Sequence, residues 1–223
     1  MQSGQDSAYN GSMGKIKVVS FDVEGTLVTP AFSDAVWHGA IPSRYAKARG
    51  ISLEKARAIV EREYEEVGDK RLEWYDVKYW FRRFGLGDYQ EVLRECRHSI
   101  SCYEEIVEVL SSLRKEYTLV VASSSSRDCL PLLLDGIGDN FVRVFSSVSD
   151  YEQLKSPEFY LTVCREMGVA ACEMAHVGDS WHFDFQAARE SGVEAFHLDR
   201  YQERRAERSL QSLRELKPRL EHL

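Results

Sequence analysis

The sequence has few of the features that mark membrane, disulfide-bonded or nucleic-acid-binding proteins. It contains no run of about 18 apolar residues, the length that a membrane-spanning helix needs. Its five cysteines are odd in number and include no Cys-x-x-Cys pair, which argues against a disulfide framework or a zinc site. No basic stripe is present, and the formal net charge is -7. We therefore expect a cytoplasmic protein that binds neither membranes nor nucleic acids.

Length and composition indicate one full domain, or a core domain with a smaller inserted one. The chain has 223 residues, of which 43% are hydrophobic and 29% charged, so it can bury a sizeable core. Residues 1–13 are polar and lack the apolar segment of a secretory signal, so we predict a disordered leader there. The oligomeric state stays open between a monomer and a homodimer.

The stretch Lys15 to Pro30, KIKVVSFDVEGTLVTP, organises the rest of the chain. Its apolar run from Ile16 to Phe21 is typical of a strand that is buried on both faces. The run ends at Asp22 and Glu24, two carboxylates one residue apart at the point where the strand meets a loop. Because an acidic pair against so apolar a run is costly, we expect a metal ion or proton chemistry to use it.

The pattern from Ala31 to about Ser101 is helical. This segment carries a cluster of aromatic residues, which is either the core of a small helical bundle or, in part, the lining of a substrate cavity. The cluster comprises Trp74, Tyr75, Tyr79, Trp80, Phe81 and Phe84.

After about residue 102, strands alternate with helices, which predicts a parallel sheet with right-handed crossovers. The predicted strands after the first are Tyr117–Ala122, Phe141–Phe145, Met174–Val177 and Val193–Leu198. The tail from Tyr201 to Leu223 has three leucines at helical spacing and is predicted to form one surface helix. These leucines are Leu210, Leu213 and Leu216.

Polar residues follow three of the predicted strands. Asp22 and Glu24 follow the first strand, Ser123 and Ser124 the second, and Asp179 the fourth. Because the carboxyl ends of parallel strands lie along one edge of a sheet, we expect these distant residues to form one site.

Together with a lysine, these groups match the needs of phosphoryl transfer. Asp22 and Asp179, with the carbonyl of Glu24, are hard oxygen ligands suited to Mg²⁺. The hydroxyl and N–H groups of Ser123–Ser126 and the ammonium of Lys155 can bind phosphate oxygens. Asp22 can act as the nucleophile, and Glu24 can protonate the leaving oxygen and then activate water. We therefore predict Mg²⁺ as the cofactor and a small phosphorylated molecule as the substrate.

Four stretches resemble the motifs of the haloacid dehalogenase (HAD) superfamily of hydrolases. Asp22-Val23-Glu24-Gly25-Thr26-Leu27 resembles the first motif, and Ser123 after YTLVVA resembles the second. Lys155, before Ser-Pro-Glu, resembles the third. HVGDSWHFDFQAARESG, from His176 to Gly192, resembles the fourth and contains Asp179 and Asp184. All four stand in order at the ends of the proper strands.

The resemblance implies an α/β fold, with a Rossmann-like parallel-sheet core and an inserted α-helical cap domain. Residues 14–30 and 102–223 would form the core, and residues 31–101 the cap, a mobile lid of the subfamily I type. The resemblance also implies an aspartyl-phosphate intermediate on Asp22, and phosphate binding by Ser123, Ser124 and Lys155. The implied metal ligands are Asp22, Asp179 and the carbonyl of Glu24, with Asp184 as a metal-shell or lysine-orienting acid.

One departure leaves alternatives open. The second acid of the first motif is usually Asp, and here it is Glu24, one methylene longer. A 2-haloacid dehalogenase needs neither metal nor a second acid, and its relatives carry an uncharged residue where Glu24 stands. A catalytically weak binding module that kept the fold is the third hypothesis. A magnesium-dependent phosphatase explains the acids best.

Overall fold

The structure is a computed structural model that describes residues 15–202, 204 and 208–223. The leader predicted over residues 1–13 lies outside the described residues. No helix within the described part of the chain is both long enough and apolar enough to cross a membrane.

A parallel sheet forms the centre of the molecule. Its strands are β1 (Val18–Phe21), β2 (Thr118–Ser123), β3 (Arg143–Ser146), β4 (Met174–Gly178), β5 (Glu194–Leu198) and β6 (Ser209–Leu210). In the described residues these six strands follow the order β3-β2-β1-β4-β5-β6, and every neighbouring pair is parallel. The predicted α/β, Rossmann-like fold class is confirmed.

Strand β1 occupies the middle of this sheet because its side chains are apolar on both faces. Val19 and Phe21 belong to one buried cluster, and Val18 belongs to the cluster on the other side. Val18 pairs with Thr118 of β2 on one side and with Met174 of β4 on the other. Whatever follows Phe21 is therefore held between two strands.

Helices cover the sheet and form most of residues 31–99. The α-helices are α1 (Ala31–Ser33), α2 (Ile41–Arg49), α3 (Leu53–Val67), α4 (Val77–Phe84), α5 (Tyr89–Cys96), α6 (Ile106–Leu113), α7 (Leu130–Leu133), α8 (Ser147–Asp150), α9 (Pro157–Met167), α10 (Ala187–Glu190) and α11 (Leu216–Glu221). Wider π-helical turns span Asp34–Ala40 and Trp181–Gln186. Tight 3₁₀ turns span Leu72–Tyr75, Arg97–Ser99, Gly138–Asn140, Ala171–Glu173 and Leu213–Glu215.

The long helix α3 shows how local sequence sets these elements. The hydroxyl of Ser52 accepts a hydrogen bond from the backbone N–H of Lys55, which caps the amino end. Ala56, Val60 and Tyr64 recur every fourth residue and are buried, so one face of the helix packs inward.

The tail differs from the single helix predicted for Tyr201 to Leu223. Ser209–Leu210 instead pair with β5 as the edge strand β6, and α11 begins at Leu216. Ser212 separates the two elements, since its hydroxyl caps the turn at Leu213–Glu215. Leucines at intervals of three residues are compatible with a strand, a turn and a helix in succession as well as with one helix. The prediction of one helix, which used the spacing alone, was therefore wrong.

The tail leucines belong to the core, and this predicts a large cost of truncating one of them. Leu213 is fully buried in the main hydrophobic cluster, whereas Leu223 is 37% exposed. We expect Leu213→Ala to lower the free energy of unfolding by about 2–5 kcal/mol, because it leaves a cavity. Leu223→Ala, the matched control, should cost under about 0.5 kcal/mol. Urea unfolding would measure both, and equal effects would contradict the packing described.

Candidate active site

Three carboxylates meet at the carboxyl edge of the sheet. Asp22 follows β1, and Asp179 follows the neighbouring strand β4. Asp184 lies in the π-helical turn after β4. In the described residues, carboxylate oxygens of these three side chains lie within 4.8 Å of one another. The backbone N–H of Asp22 also donates to the carbonyl of Val177 at 3.0 Å, which fixes the first carboxylate beside β4.

Lys155 is buried against two of these carboxylates. Its ammonium donates to Asp22 Oδ1 and to Asp184 Oδ1, each at 2.5 Å, and the residue is 4% exposed. Burial alone would lower the pKa of Lys155, but the negative charges of Asp184 and Asp22 raise it above its usual value. Burial likewise favours the neutral form of Asp184, and Lys155 and His176 overcome this, so that its pKa lies well below the usual range. Lys155 and Asp184 therefore form a charged pair.

Asp184 has further partners that fix its position. Its Oδ2 accepts from the backbone N–H of Ser180 at 2.9 Å, and its Oδ1 lies 3.1 Å from Nε2 of the buried His176. A methyl group on Gly178 would collide with the carboxylate of Asp184, and one on Gly25 would collide with that of Asp179. Gly25 also has a φ of +77°, which disfavours other residues. Two glycines thus leave the space that the carboxylates occupy.

The cluster carries more negative charge than Lys155 compensates. Burial is the main cause that raises the pKa of Asp22 to about 6. Asp179 opens to solvent, but partial desolvation and the charges of Asp22 and Asp184 raise its pKa to about 8. Such crowding of carboxylates is characteristic of a site that holds a cation. A divalent ion with oxygen ligands, such as Mg²⁺, fits this donor set.

Glu24 is not part of the three-carboxylate cluster found among the described residues, although its main-chain carbonyl remains a predicted ligand. Its side chain accepts a hydrogen bond from Ser33 Oγ at 2.5 Å and one from Ser125 Oγ at 3.2 Å. Burial raises the pKa of Glu24 to about 7, more than these hydrogen bonds lower it. Near neutral pH the group can hold or release a proton, which suits a general acid and base.

The serine-rich loop after β2 lies beside the same carboxylates. Ser123 is 1% exposed, and its hydroxyl accepts from the backbone N–H of Ser125 at 3.2 Å. A single cavity of about 500 Å³ is lined by all the predicted site residues, namely Asp22, Glu24, Ser123, Ser124, Lys155, Asp179 and Asp184. The chain therefore brings together the residues that the motifs singled out.

Two residues in or near the site, Ser33 and Arg200, are marked by no motif. Ser33 lies nine residues from Glu24, in α1, and no motif marks it. Arg200 donates to the carbonyl of Thr26 at 2.9 Å and pairs with Glu105 at 2.7 Å, which ties the loop after β5 to the turn after Asp22. Both contacts join segments whose relative position only the folded chain defines, so no sequence signal was present.

Comparisons with known proteins identify the family and the fold of the chain. Residues 16–192 match the family model for haloacid dehalogenase-like hydrolases. The fold is similar to that of a HAD phosphatase from Thermococcus onnurineus, with a TM-score of 0.81 and 27% identity, over 92% of this chain and 98% of that one. A 2-haloacid dehalogenase from Pseudomonas syringae pv. Tomato DC3000 shares the fold at a TM-score of 0.69 and 22% identity, over 93% and 98% of the chains.

A curated relative matches over a shorter stretch. The GMP/IMP nucleotidase YrfG of Escherichia coli (strain K12) is 28% identical over 71 residues, which are 32% of this chain and 32% of the relative. The match thus spans about a third of the length of the curated protein.

The crowded carboxylates predict that the metal-free protein loses stability as pH rises. The folded-state pKa values of Asp22 and Asp179, about 6 and about 8, exceed those of an unfolded chain, so the folded state binds more protons. Their contribution to stability therefore falls as pH rises from about 4 to about 8. We expect Asp179→Asn to raise the unfolding temperature of the metal-free protein at pH 8 by about 2 °C or more.

Calorimetry with and without Mg²⁺ checks this expectation. Mg²⁺ should stabilise the wild type at pH 8 and should stabilise Asp179→Asn much less. Asp139→Asn, an exposed carboxylate outside the cavity, is the control and should change neither value. A lower unfolding temperature for Asp179→Asn without metal would contradict the charge crowding.

Proposed function

The chain belongs to the haloacid dehalogenase-like hydrolases, and on that premise we propose that it is a magnesium-dependent phosphatase acting on a small phosphorylated metabolite. The observation that carries the proposal is the arrangement of Asp22, Asp179 and Asp184 around Lys155. This set supplies a nucleophile, a cation site and a fixed positive charge at one point. The phosphatase from T. onnurineus, similar over nearly its whole length, supports the choice.

In this proposal Asp22 attacks the phosphorus atom and forms an aspartyl phosphate, which water then hydrolyses. Its carboxylate is oriented by Lys155 on one oxygen and by the β1–β4 pairing through its backbone. Such positioning supplies much of the rate in phosphoryl transfer, because the transition state demands in-line geometry.

The phosphate oxygens bind on the side of the loop after β2. Ser123 and Ser124 offer hydroxyl and backbone N–H groups there, and Lys155 offers its ammonium beside Asp22. A bound Mg²⁺ would supply charge neutralisation between the Asp22 carboxylate and the phosphate. Asp22, Asp179 and the Glu24 carbonyl would hold the ion, and Asp184 would complete its surroundings and orient Lys155.

Glu24 serves as the general acid and base. It protonates the oxygen of the leaving alcohol during the first step and accepts a proton from the attacking water during the second. Ser33 and Ser125 hold its two oxygens. Because Ser33 belongs to the first turn of the helical segment, that segment takes part in placing the acid. We propose that residues 31–101 form a cap over the core and exclude water from the reaction.

The dehalogenase alternative explains fewer observations. A dehalogenase uses the nucleophilic Asp and needs neither a metal ion nor a second acid. Here three carboxylates crowd at a site that suits a cation, and Glu24 adds a further acid. A binding module without activity would not require such crowding of acids.

Removing the nucleophile tests the proposal directly. We expect Mg²⁺-dependent release of phosphate from p-nitrophenyl phosphate by the wild type. Asp22→Asn should lower kcat by at least about 10³-fold, because the amide cannot attack. EDTA should abolish activity, and Mg²⁺ should restore it. Asp139→Asn is the control. Halide release from a 2-haloacid in the presence of EDTA would support the dehalogenase instead.

Substitutions of Glu24 test whether its side chain transfers a proton during the reaction. Glu24→Gln keeps size and hydrogen bonds but cannot transfer a proton, so we expect kcat to fall about 10²–10⁴-fold on an alkyl phosphate. The loss should be smaller on p-nitrophenyl phosphate, whose leaving group needs little protonation. Glu24→Asp should retain measurable activity. An equal kcat for wild type and Glu24→Gln on the alkyl ester would exclude proton transfer by Glu24.

A further inference from the structure

Beyond the carboxylates, the cavity is walled by aromatic rings from the helical segment. Trp37, Tyr64, Trp74 and Tyr75 line it together with the catalytic groups. Its volume of about 500 Å³ exceeds what a phosphate group fills and lies in the range of sites for small organic ligands. The aromatic cluster that the sequence left undecided between core and cavity therefore contributes to both. The space next to the phosphate position is thus shaped for the alcohol part of the ester.

The aromatic walls are held rigidly. Tyr64 is buried, and the rings of Trp37 and Trp74 each pack edge-on against it, with centroids 6.0 Å away. The Tyr64 hydroxyl donates to the carbonyl of Trp37 at 3.1 Å, and the Trp80 indole N–H donates to that of Trp74 at 3.3 Å. The Tyr75 hydroxyl likewise donates to the backbone carbonyl of Asp69, another lining residue, at 3.1 Å. Walls that are fixed before binding lose little entropy when a ring stacks on them.

The part of the cavity beside the aromatic walls also carries negative charge. Asp34 and Asp69 line it, and both are exposed. Among the lining residues that the structure describes, Lys155 is the one Lys or Arg, and it lies at the phosphate position in contact with Asp22 and Asp184. His38 is the one histidine of that lining. A carboxylate or second phosphate on the substrate would therefore meet the like charges of Asp34 and Asp69, with no Lys or Arg of the described lining beyond the phosphate position, which disfavours binding.

We propose, on the basis of the phosphatase function above, that the preferred substrate is a phosphomonoester whose alcohol carries a flat aromatic or heteroaromatic ring and no second anionic group. The ring stacks against Trp37 and Trp74, since aromatic faces hold planar rings by offset or edge contacts. Asp34 and Asp69 reject esters with a further anion. The catalytic groups bind the phosphate common to all substrates, and the helical segment selects the alcohol.

A substrate panel with Mg²⁺ present tests the proposal. It comprises a nucleoside 5′-monophosphate and pyridoxal 5′-phosphate as ring-bearing esters, glycerol 3-phosphate, 2-phosphoglycolate, fructose 1,6-bisphosphate, phosphocholine and acetyl phosphate. We expect kcat/KM for a ring-bearing ester to exceed that for glycerol 3-phosphate roughly tenfold, the scale of base stacking on an aromatic side chain. Phosphoglycolate and the bisphosphate should rank lowest. A preference for either of these, or for phosphocholine, overturns the inference and leaves the phosphatase function standing. Hydrolysis of no ester at all overturns both.

Variants assign the selectivity to the named residues. Trp74→Leu should lower the ratio of kcat/KM between the best ring-bearing ester and glycerol 3-phosphate about tenfold. Trp37→Leu provides a second test if that variant folds poorly. Tyr151→Leu, an aromatic loss outside the cavity, should leave the ratio unchanged. An equal ratio in all three variants would overturn stacking on these walls.

A double variant tests whether Asp34 and Asp69 disfavour substrates with a second anionic group. The double variant Asp34→Asn, Asp69→Asn should raise kcat/KM for 2-phosphoglycolate relative to glycerol 3-phosphate about fivefold, since it removes two repelling charges. Asp139→Asn, an exposed acid outside the cavity, should not change this ratio. The effect should shrink at high salt, because exposed charges are screened. No change in the double variant would overturn the role of Asp34 and Asp69.

Discussion

The ion pairs of Lys155 with Asp22 and Asp184 are the interaction on which the site depends. Two buried carboxylates 2.5 Å from one ammonium give a fixed geometry, but they leave Asp179 and Asp22 with an excess of negative charge. Carboxylates this close repel one another, which favours the binding of a cation among them. The same excess destabilises the protein without metal. The charge crowding that favours a bound cation is therefore the same feature that lowers the stability of the metal-free protein.

The sheet makes this arrangement possible. Neighbouring strands β1 and β4 bring Asp22 and Asp179 together, and β2 delivers Ser123 beside them. The tight backbone at Gly25 and Gly178 leaves room for two carboxylates where a single added methyl group would collide. The helical segment adds two features that the sheet cannot supply. These are the Ser33 hydroxyl, which donates to Glu24, and the aromatic walls of the cavity. In the proposed function, the core therefore supplies the chemistry and the helical segment supplies the choice of ester.

The sequence predicts the parts of this molecule that depend on local patterns. Apolar runs locate five of the six strands seen in the described residues, because strands buried on both faces need continuous apolar stretches. Acids and serines directly after such runs must lie at one edge, so the site residues could be named. The contact of Ser33 with Glu24 could not, because it depends on how α1 packs against the turn that holds Glu24, nine residues earlier. The edge strand β6 is two residues long, too short for any periodicity to show.

The central place of β1 also has a consequence for biosynthesis. Its partners lie far downstream: β2 begins at Thr118, and β4 does not end until Gly178. While a ribosome makes the intervening residues, on the order of ten seconds at usual translation speeds, the nascent β1 has no permanent neighbour. The helices between Ala31 and Cys96 make many local contacts and can form during that interval. We therefore expect β1, the apolar strand that ends beside Asp22, to stay exposed to non-native contacts for much of translation.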